Sequence, residues 1–228
     1  MNQTAKLFIF IGPPGAGKGS LSNLCVKRFG WIQISTGNLC RKHSAEQTKI
    51  GKEIDLIIKS GKLINDKLIT DMVSEWFAEN ADGATGIILD GYPRTIVQAQ
   101  VFDSMLRTMF PTMHKRIVLF SISDDTVVDR LCCRFVCQNK DCQAVYSTSP
   151  NSDLVSKNGA ICDQCGGKLI RREDDAEVSV RKRLEIYHKH EQELIDFYRN
   201  NGDDIITLDA EKSLKEVFEN FVQYVDEE

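Results

Sequence analysis

No stretch of this 228-residue chain keeps an apolar run of about 18 residues, so no membrane-spanning helix is expected. Nor is there an excess of basic residues. Lys and Arg number 29 against 33 Asp and Glu, a net charge of −4, which argues against a general nucleic-acid partner. There is no internal repeat or low-complexity tract. The opening MNQTAKLFIFIG has too short an apolar run for a secretory signal, and it leads straight into a glycine-rich loop that a processed protein would lose. A reducing cytoplasm is the expected compartment. There, eight cysteines argue for thiols or metal ligands rather than disulfides.

What is present suits one large α/β domain with an inserted module, and a hydrophobic share of 42% is ample for its core. Five short apolar segments, 6–11, 31–34, 86–89, 116–121 and 204–208, read as strands with helical patterns between them. That alternation predicts a mostly parallel five-stranded sheet with helices on both faces. Ligands of such sheets sit beyond the carboxyl ends of the strands.

The most informative stretch is LFIFIGPPGAGKGS, residues 7–20. An apolar run ends in a loop of bare backbone, and a helix start follows. Gly12, Gly15, Gly17 and Gly19 let a ligand approach closely, backbone N–H groups converge on phosphate oxygens, and Lys18 adds a full charge. The pattern is a phosphate loop, with the hydroxyl displaced by one place to Ser20.

Later polar residues fall at other strand ends. After WIQI come Ser35, a helix-cap candidate, then Thr36 and Arg41, which alone read as an ordinary cap and a solvated charge. The third strand runs into Asp90-Gly91-Tyr92-Pro93-Arg94. A carboxylate at a buried strand tip needs a cation, so Asp90 is a candidate for hydrated magnesium; the alternative is a capping aspartate. Arg94 suits bidentate phosphate contact, and Gln98, one helical turn on, can read a base edge. Arg130 and Arg134 are spaced to share one helical face, where two cations repel unless an anion lies between them.

Residues 137–165 change character. Cys137-x4-Cys142 and Cys162-x2-Cys165 place four thiols in two close pairs, the pattern of a tetrahedral structural Zn²⁺ site. The intervening segment has too little apolar material for a core of its own. Cys25, Cys40, Cys132 and Cys133 read as packing residues, and His188 and His190 as surface residues.

The motifs GPPGAGKGS, STGNLCR, GKLI, DGYPRT with Gln98, the Arg130/Arg134 pair, the four-cysteine segment and RREDD…VRKR come in an order that resembles the bacterial-type, long-lid adenylate kinases over nearly the whole chain. The resemblance implies a core of residues 1–34, 65–132 and 172–228, a monophosphate-binding insert of 35–64, and a zinc-binding lid of 133–171. It implies ATP + AMP ⇌ 2 ADP with Mg²⁺, in a monomer. By motif, Gly15, Ala16, Gly17, Lys18, Gly19 and Ser20 would hold ATP phosphates, with Arg130, Arg134, Val145 and Tyr146 also on ATP. Thr36, Arg41, Lys62, Leu63, Ile64, Gly91, Tyr92, Pro93, Arg94 and Gln98 would hold AMP. Arg172 and Arg183 would clamp phosphates during transfer, Lys18 would be catalytic, and Asp174 and Asp175 would help close the lid.

The chain departs from the family pattern at Asn38, Cys133, Phe135, Ala210 and the wider first cysteine loop. Rival readings are a UMP/CMP kinase, disfavoured by Thr36 and the long lid, a GTP-dependent AMP kinase, and a non-catalytic zinc-ribbon binding module. Three lysines (140, 157, 168) against three aspartates (141, 153, 163) leave the last without a basic face.

Overall fold

The computed structural model describes residues 5–45, 49–59, 63–139, 142–149 and 152–226. Strand β1 (Lys6–Ile11) leads into α1 (Lys18–Phe29), then β2 (Ile32–Ser35), α2 (Thr36–Ala45), α3 (Lys49–Lys59) and α4 (Asp66–Asn80). Next come β3 (Gly86–Asp90), α5 (Ile96–Met109), β4 (His114–Ser121) and α6 (Asp124–Cys132). Three short strands follow, β5 (Arg134–Cys137), β6 (Val145–Ser147) and β7 (Leu169–Ile170), and then a 3-10 turn (Glu173–Asp175). The last elements are α7 (Glu177–Asn200), β8 (Asp204–Asp209) and α8 (Leu214–Asp226).

The main sheet has the order β2-β3-β1-β4-β8, parallel at every pairing. Its strands are the five apolar segments expected, shifted at their ends by no more than a residue or two. In β1, Leu7, Ile9 and Ile11 face one side and Phe8 and Phe10 the other, each at most 4% exposed, so both faces are covered. On the first side they pack with Val73 and Phe77 of α4, Phe102 of α5 and Tyr198 of α7. On the other, Phe8 and Phe10 meet Phe221 of α8 edge-on, beside Leu21 and Cys25 of α1.

Parallel register brings the strand ends together. Ser35 pairs with Asp90, Phe10 with Asp90, and Ser121 with Asp209. The loop at Gly12, the start of α2, Asp90 and the β8 exit therefore open at one edge of the sheet, the edge at which doubly wound folds hold ligands.

A second antiparallel sheet has the order β6-β5-β7. It overturns one expectation. α6 ends at Cys132 and Arg134 begins β5, paired with Ser147, so Arg130 and Arg134 do not share a helical face. From the segment between the cysteine pairs only Ala144 and Tyr146 are buried, and they pack with Cys137 and Cys162 and with Leu169 of β7. Among the described residues no helix is long and apolar enough to cross a membrane.

Candidate active site

A cavity of about 710 Å³ opens at the carboxyl edge of the main sheet. Its floor is the glycine loop. Gly17 takes the left-handed conformation (φ 90°) immediately before α1, which has no side-chain cap and no acidic residue in its first turn. The first amides of α1 are thus left for an anion. Lys18 folds back over the loop, its Nζ donating to the carbonyls of Gly12 and Pro13 at 2.8 Å each. Burial brings the Lys18 pKa down to about 8, against the pull of nearby Asp90 and with the push of Arg94 and Arg183. A Cβ at Gly19 would stand 3.5 Å from Asp90 Oδ2, so the β3-tip carboxylate lies against the start of α1.

The β3 exit is braced on α2. Thr36 is 2% exposed, and its Oγ1 donates to Gly91 O at 2.8 Å. Gly91 has a φ of 80°, and a Cβ there would come within 2.9 Å of Thr36 Oγ1 and 3.0 Å of Arg94 Nη2, so no side chain fits. Arg94 Nε donates to Gly91 O at 2.7 Å, holding the guanidinium against its own turn. Gln98 is buried, with both ends of its amide engaged: Oε1 accepts from Arg94 N, and Nε2 donates to Asp66 Oδ1, each at 2.7 Å.

Five more arginines close on this centre from other elements. Arg41 of α2 donates to Asn38 Oδ1. Arg134 Nε reaches Asp175 Oδ2 at 2.8 Å, and Arg183 Nη1 reaches Asp174 Oδ2 at 3.1 Å. Burial lowers the pKa of Arg172 to about 9 and of Arg183 to about 10, with neighbouring Arg134 adding to both effects. Arg41 and Arg130 are also lowered by burial. Burial pushes the Asp174 carboxyl up, but Arg183, Arg134, Arg172 and Arg41 outweigh it and hold the group below its ordinary range. The Nε atoms of Arg41 and Arg172 are buried with no hydrogen-bond partner among the described residues. A buried guanidinium N–H left unpaired is costly, and an anion in the cavity would supply its acceptor.

Most of the residues singled out by motif line this cavity: the loop from Gly15 to Ser20, Thr36, Arg41, Leu63, Ile64, Asp90, Gly91, Pro93, Arg94 and Gln98, and from the later chain Arg130, Arg134, Val145, Tyr146, Arg172, Asp174 and Arg183. Tyr92 does not. Its ring is 1% exposed and packs edge-on to Phe102, and its hydroxyl donates to Gln98 O at 3.2 Å. The side chain braces the wall from behind, because an aromatic ring gains more in the core. Asp175 stands behind Arg134 rather than on the cavity surface. Lys62 lies outside the described residues.

Glu211 lines the cavity and was not singled out. Its carboxylate accepts from Ser123 N at 2.7 Å and Thr126 Oγ1 at 2.8 Å, and its carbonyl lies 3.5 Å from Arg130 Nη2. Its place just past the end of β8 was the available signal.

The four cysteines converge away from the cavity floor. Cys137, Cys142, Cys162 and Cys165 bring their Sγ atoms within 4.8 Å of one another, at 3.3 Å for Cys137–Cys165 and 3.7 Å for Cys142–Cys162. Sulfurs about 2.3 Å from a tetrahedral Zn²⁺ stand about 3.8 Å apart, so the set fits that ion. Burial and the neighbouring sulfurs push the Cys137 thiol up to about 12. Cys162 is brought down to about 6, because hydrogen bonds from Tyr146 and the Gln164 and Cys165 amides outweigh its burial.

The chain is similar to known proteins over most of its length. The family model described as adenylate kinase matches residues 10–203. An adenylate kinase of Fervidobacterium nodosum is 41% identical over 209 residues, 92% of each chain. One from Thermodesulfovibrio yellowstonii is 40% identical over 196 residues, 85% of this chain and 87% of that one. One from Clostridium tetani is 35% identical over 212 residues, 93% and 94% of the two chains.

Proposed function

We propose a residue-level mechanism for a chain that belongs to the adenylate kinase family and so transfers a phosphoryl group reversibly, ATP + AMP ⇌ 2 ADP. The observation that carries the mechanism is the convergence of Lys18, Arg41, Arg94, Arg130, Arg134, Arg172 and Arg183 on one cavity, with the Nε atoms of Arg41 and Arg172 buried and unpaired.

Phosphoryl transfer needs positioning and neutralisation of spreading charge more than covalent help from the protein. The loop from Gly15 to Ser20 holds the ATP phosphates on its amides and on the α1 N-terminus. Lys18, poised over the loop, follows the transferring group. Arg130 and Arg134, with Val145 and Tyr146, hold the ATP side. Thr36, Arg41, Leu63, Ile64, the backbone at Gly91 and Pro93, Arg94 and Gln98 hold AMP, with Lys62 placed there by motif. Arg172 and Arg183 bridge the two sides. Asp90 would hold Mg²⁺ through water, and the ion would neutralise phosphate oxygens when bound with ATP.

Residues 35–64 act as the monophosphate-binding insert and 133–171 as a lid on a core of 1–34, 65–132 and 172–228. Closure over the cavity excludes water, which would otherwise take the phosphoryl group. Arg134–Asp175 and Arg183–Asp174 support the closed arrangement. Zn²⁺ on the four cysteines stiffens the lid without entering the chemistry. A monomer in the cytoplasm is the remaining part of the reading.

The test is ADP formation with ATP or GTP as donor and AMP, UMP or CMP as acceptor. ATP with AMP is expected to dominate. A preference for UMP or CMP would overturn the assignment of the monophosphate side.

A further inference from the structure

We propose that Asp66 is a positioning residue that fixes which way round the Gln98 amide faces the monophosphate base, and thereby selects a 6-amino over a 6-oxo purine. The inference rests on Gln98 being a base contact.

Gln98 is 2% exposed, yet it lines the cavity beside Leu63, Ile64 and Gly91. Its backbone is pinned: the N–H donates to Thr95 Oγ1 at 3.2 Å, and the carbonyl accepts from Tyr92 Oη at 3.2 Å. Its side chain is pinned at both ends as well. Oε1 takes the Arg94 N–H at 2.7 Å, and Nε2 donates to Asp66 Oδ1 at 2.7 Å. The two partners are chemically opposite. The amide N–H of Arg94 only donates, and a carboxylate only accepts. Turning the Gln98 amide over would set its oxygen against a carboxylate and its NH₂ against an N–H. The orientation follows from the partners, whichever way an amide is drawn.

Asp66 is available for this task because its neighbour does the capping. Asn65 Oδ1 accepts from Lys67 N at 3.0 Å and Leu68 N at 3.4 Å, so the helix start is served and the Asp66 carboxylate turns to Gln98. After these bonds, Gln98 keeps one N–H and one oxygen lone pair for a ligand, in a set order. Adenine presents an amino donor at C6 and an acceptor at N1, which match that order. Hypoxanthine and guanine present an acceptor at C6 and a donor at N1, which oppose it. A site whose buried polar groups are held in one order rejects the mismatched base strongly.

The experiment measures kcat/KM with AMP and with IMP in the intact protein, for the unaltered chain and for Asp66→Ala, Asp66→Asn and Gln98→Ala, with unfolding midpoints for each. Asp66→Ala frees one end of the amide, and the AMP-over-IMP ratio is expected to fall about tenfold. The change should lie in KM for AMP, with KM for ATP unmoved. Asp66→Asn keeps an acceptor oxygen and is expected to restore most of the ratio. If Asp66→Ala keeps the ratio while Gln98→Ala loses it, Asp66 has no positioning role. Equal losses in Asp66→Ala and Asp66→Asn would mean that only the charge at the α4 start matters, and would also overturn the proposal. If Gln98→Ala keeps the ratio, the base-contact reading itself fails.

Discussion

Arg134, at the start of β5, and Asp175, at the end of the 3-10 turn, are joined by two hydrogen bonds, Nε to Oδ2 at 2.8 Å and Nη2 to Oδ1 at 2.5 Å. The Asp175 side chain is 2% exposed and that of Arg134 14%, so water screens the pair little. The bond ties the small sheet to the segment entering α7. Asp175→Ala would leave a buried guanidinium without its counter-charge, at a cost of about 3 kcal/mol. Its unfolding midpoint is expected to drop. In a double-mutant cycle, Arg134→Ala with Asp175→Ala should lose clearly less than the sum of the single changes. Additive losses would show that the two residues are not coupled.

Lys18→Ala is expected to lower kcat/KM about a thousandfold without lowering the unfolding midpoint. The pH profile follows from the same residue. With a pKa of about 8 in the unliganded protein, Lys18 is charged below that pH and neutral above it. The profile of kcat/KM reports the free enzyme, so for ATP it should fall as pH rises through about 8. Folding stability runs the opposite way. The pKa is depressed from 10.5 to about 8, so protonation favours the unfolded chain, and that penalty fades as pH rises between those values. A kcat/KM profile flat across about pH 7 to 10 would contradict the role given to Lys18.

The cysteine cluster is expected to carry close to one equivalent of zinc by elemental analysis, and Cys162→Ser to lose it. Chelation should lower the unfolding midpoint of the small sheet and release thiols to titration. ADP formation should persist at low temperature, because none of the four sulfurs lines the cavity. Metal-free protein with four titrating thiols would remove zinc from the account.

The main sheet was legible because its strands are buried on both faces. Runs such as LFIFI have no polar alternation to confuse, and the glycine loop follows at once. The small sheet was not. Arg134 stands four residues after Arg130, a helical interval, but pairing with Ser147 decides its conformation, and no local pattern announces that partner. Tyr92 sits inside a cavity motif yet turns inward to Phe102, since motif position says nothing of side-chain direction. Gln98 was legible as a candidate, but its bond to Asp66 spans 32 residues and forms only when α4 and α5 lie side by side. Lys18 and Arg94 read as phosphate contacts from their own loops, but Arg41 alone read as a solvated charge, and the shared strand edge is what brings it to the same cavity.

The central claim is that these cations serve transfer between two nucleotides. Its most direct measurement is ADP production by the purified protein with Mg²⁺, ATP and AMP together, with each nucleotide omitted in turn. Two ADP are expected per AMP consumed, and none should form when AMP is left out. ADP and free phosphate released from ATP alone, at a rate indifferent to AMP, would contradict the account.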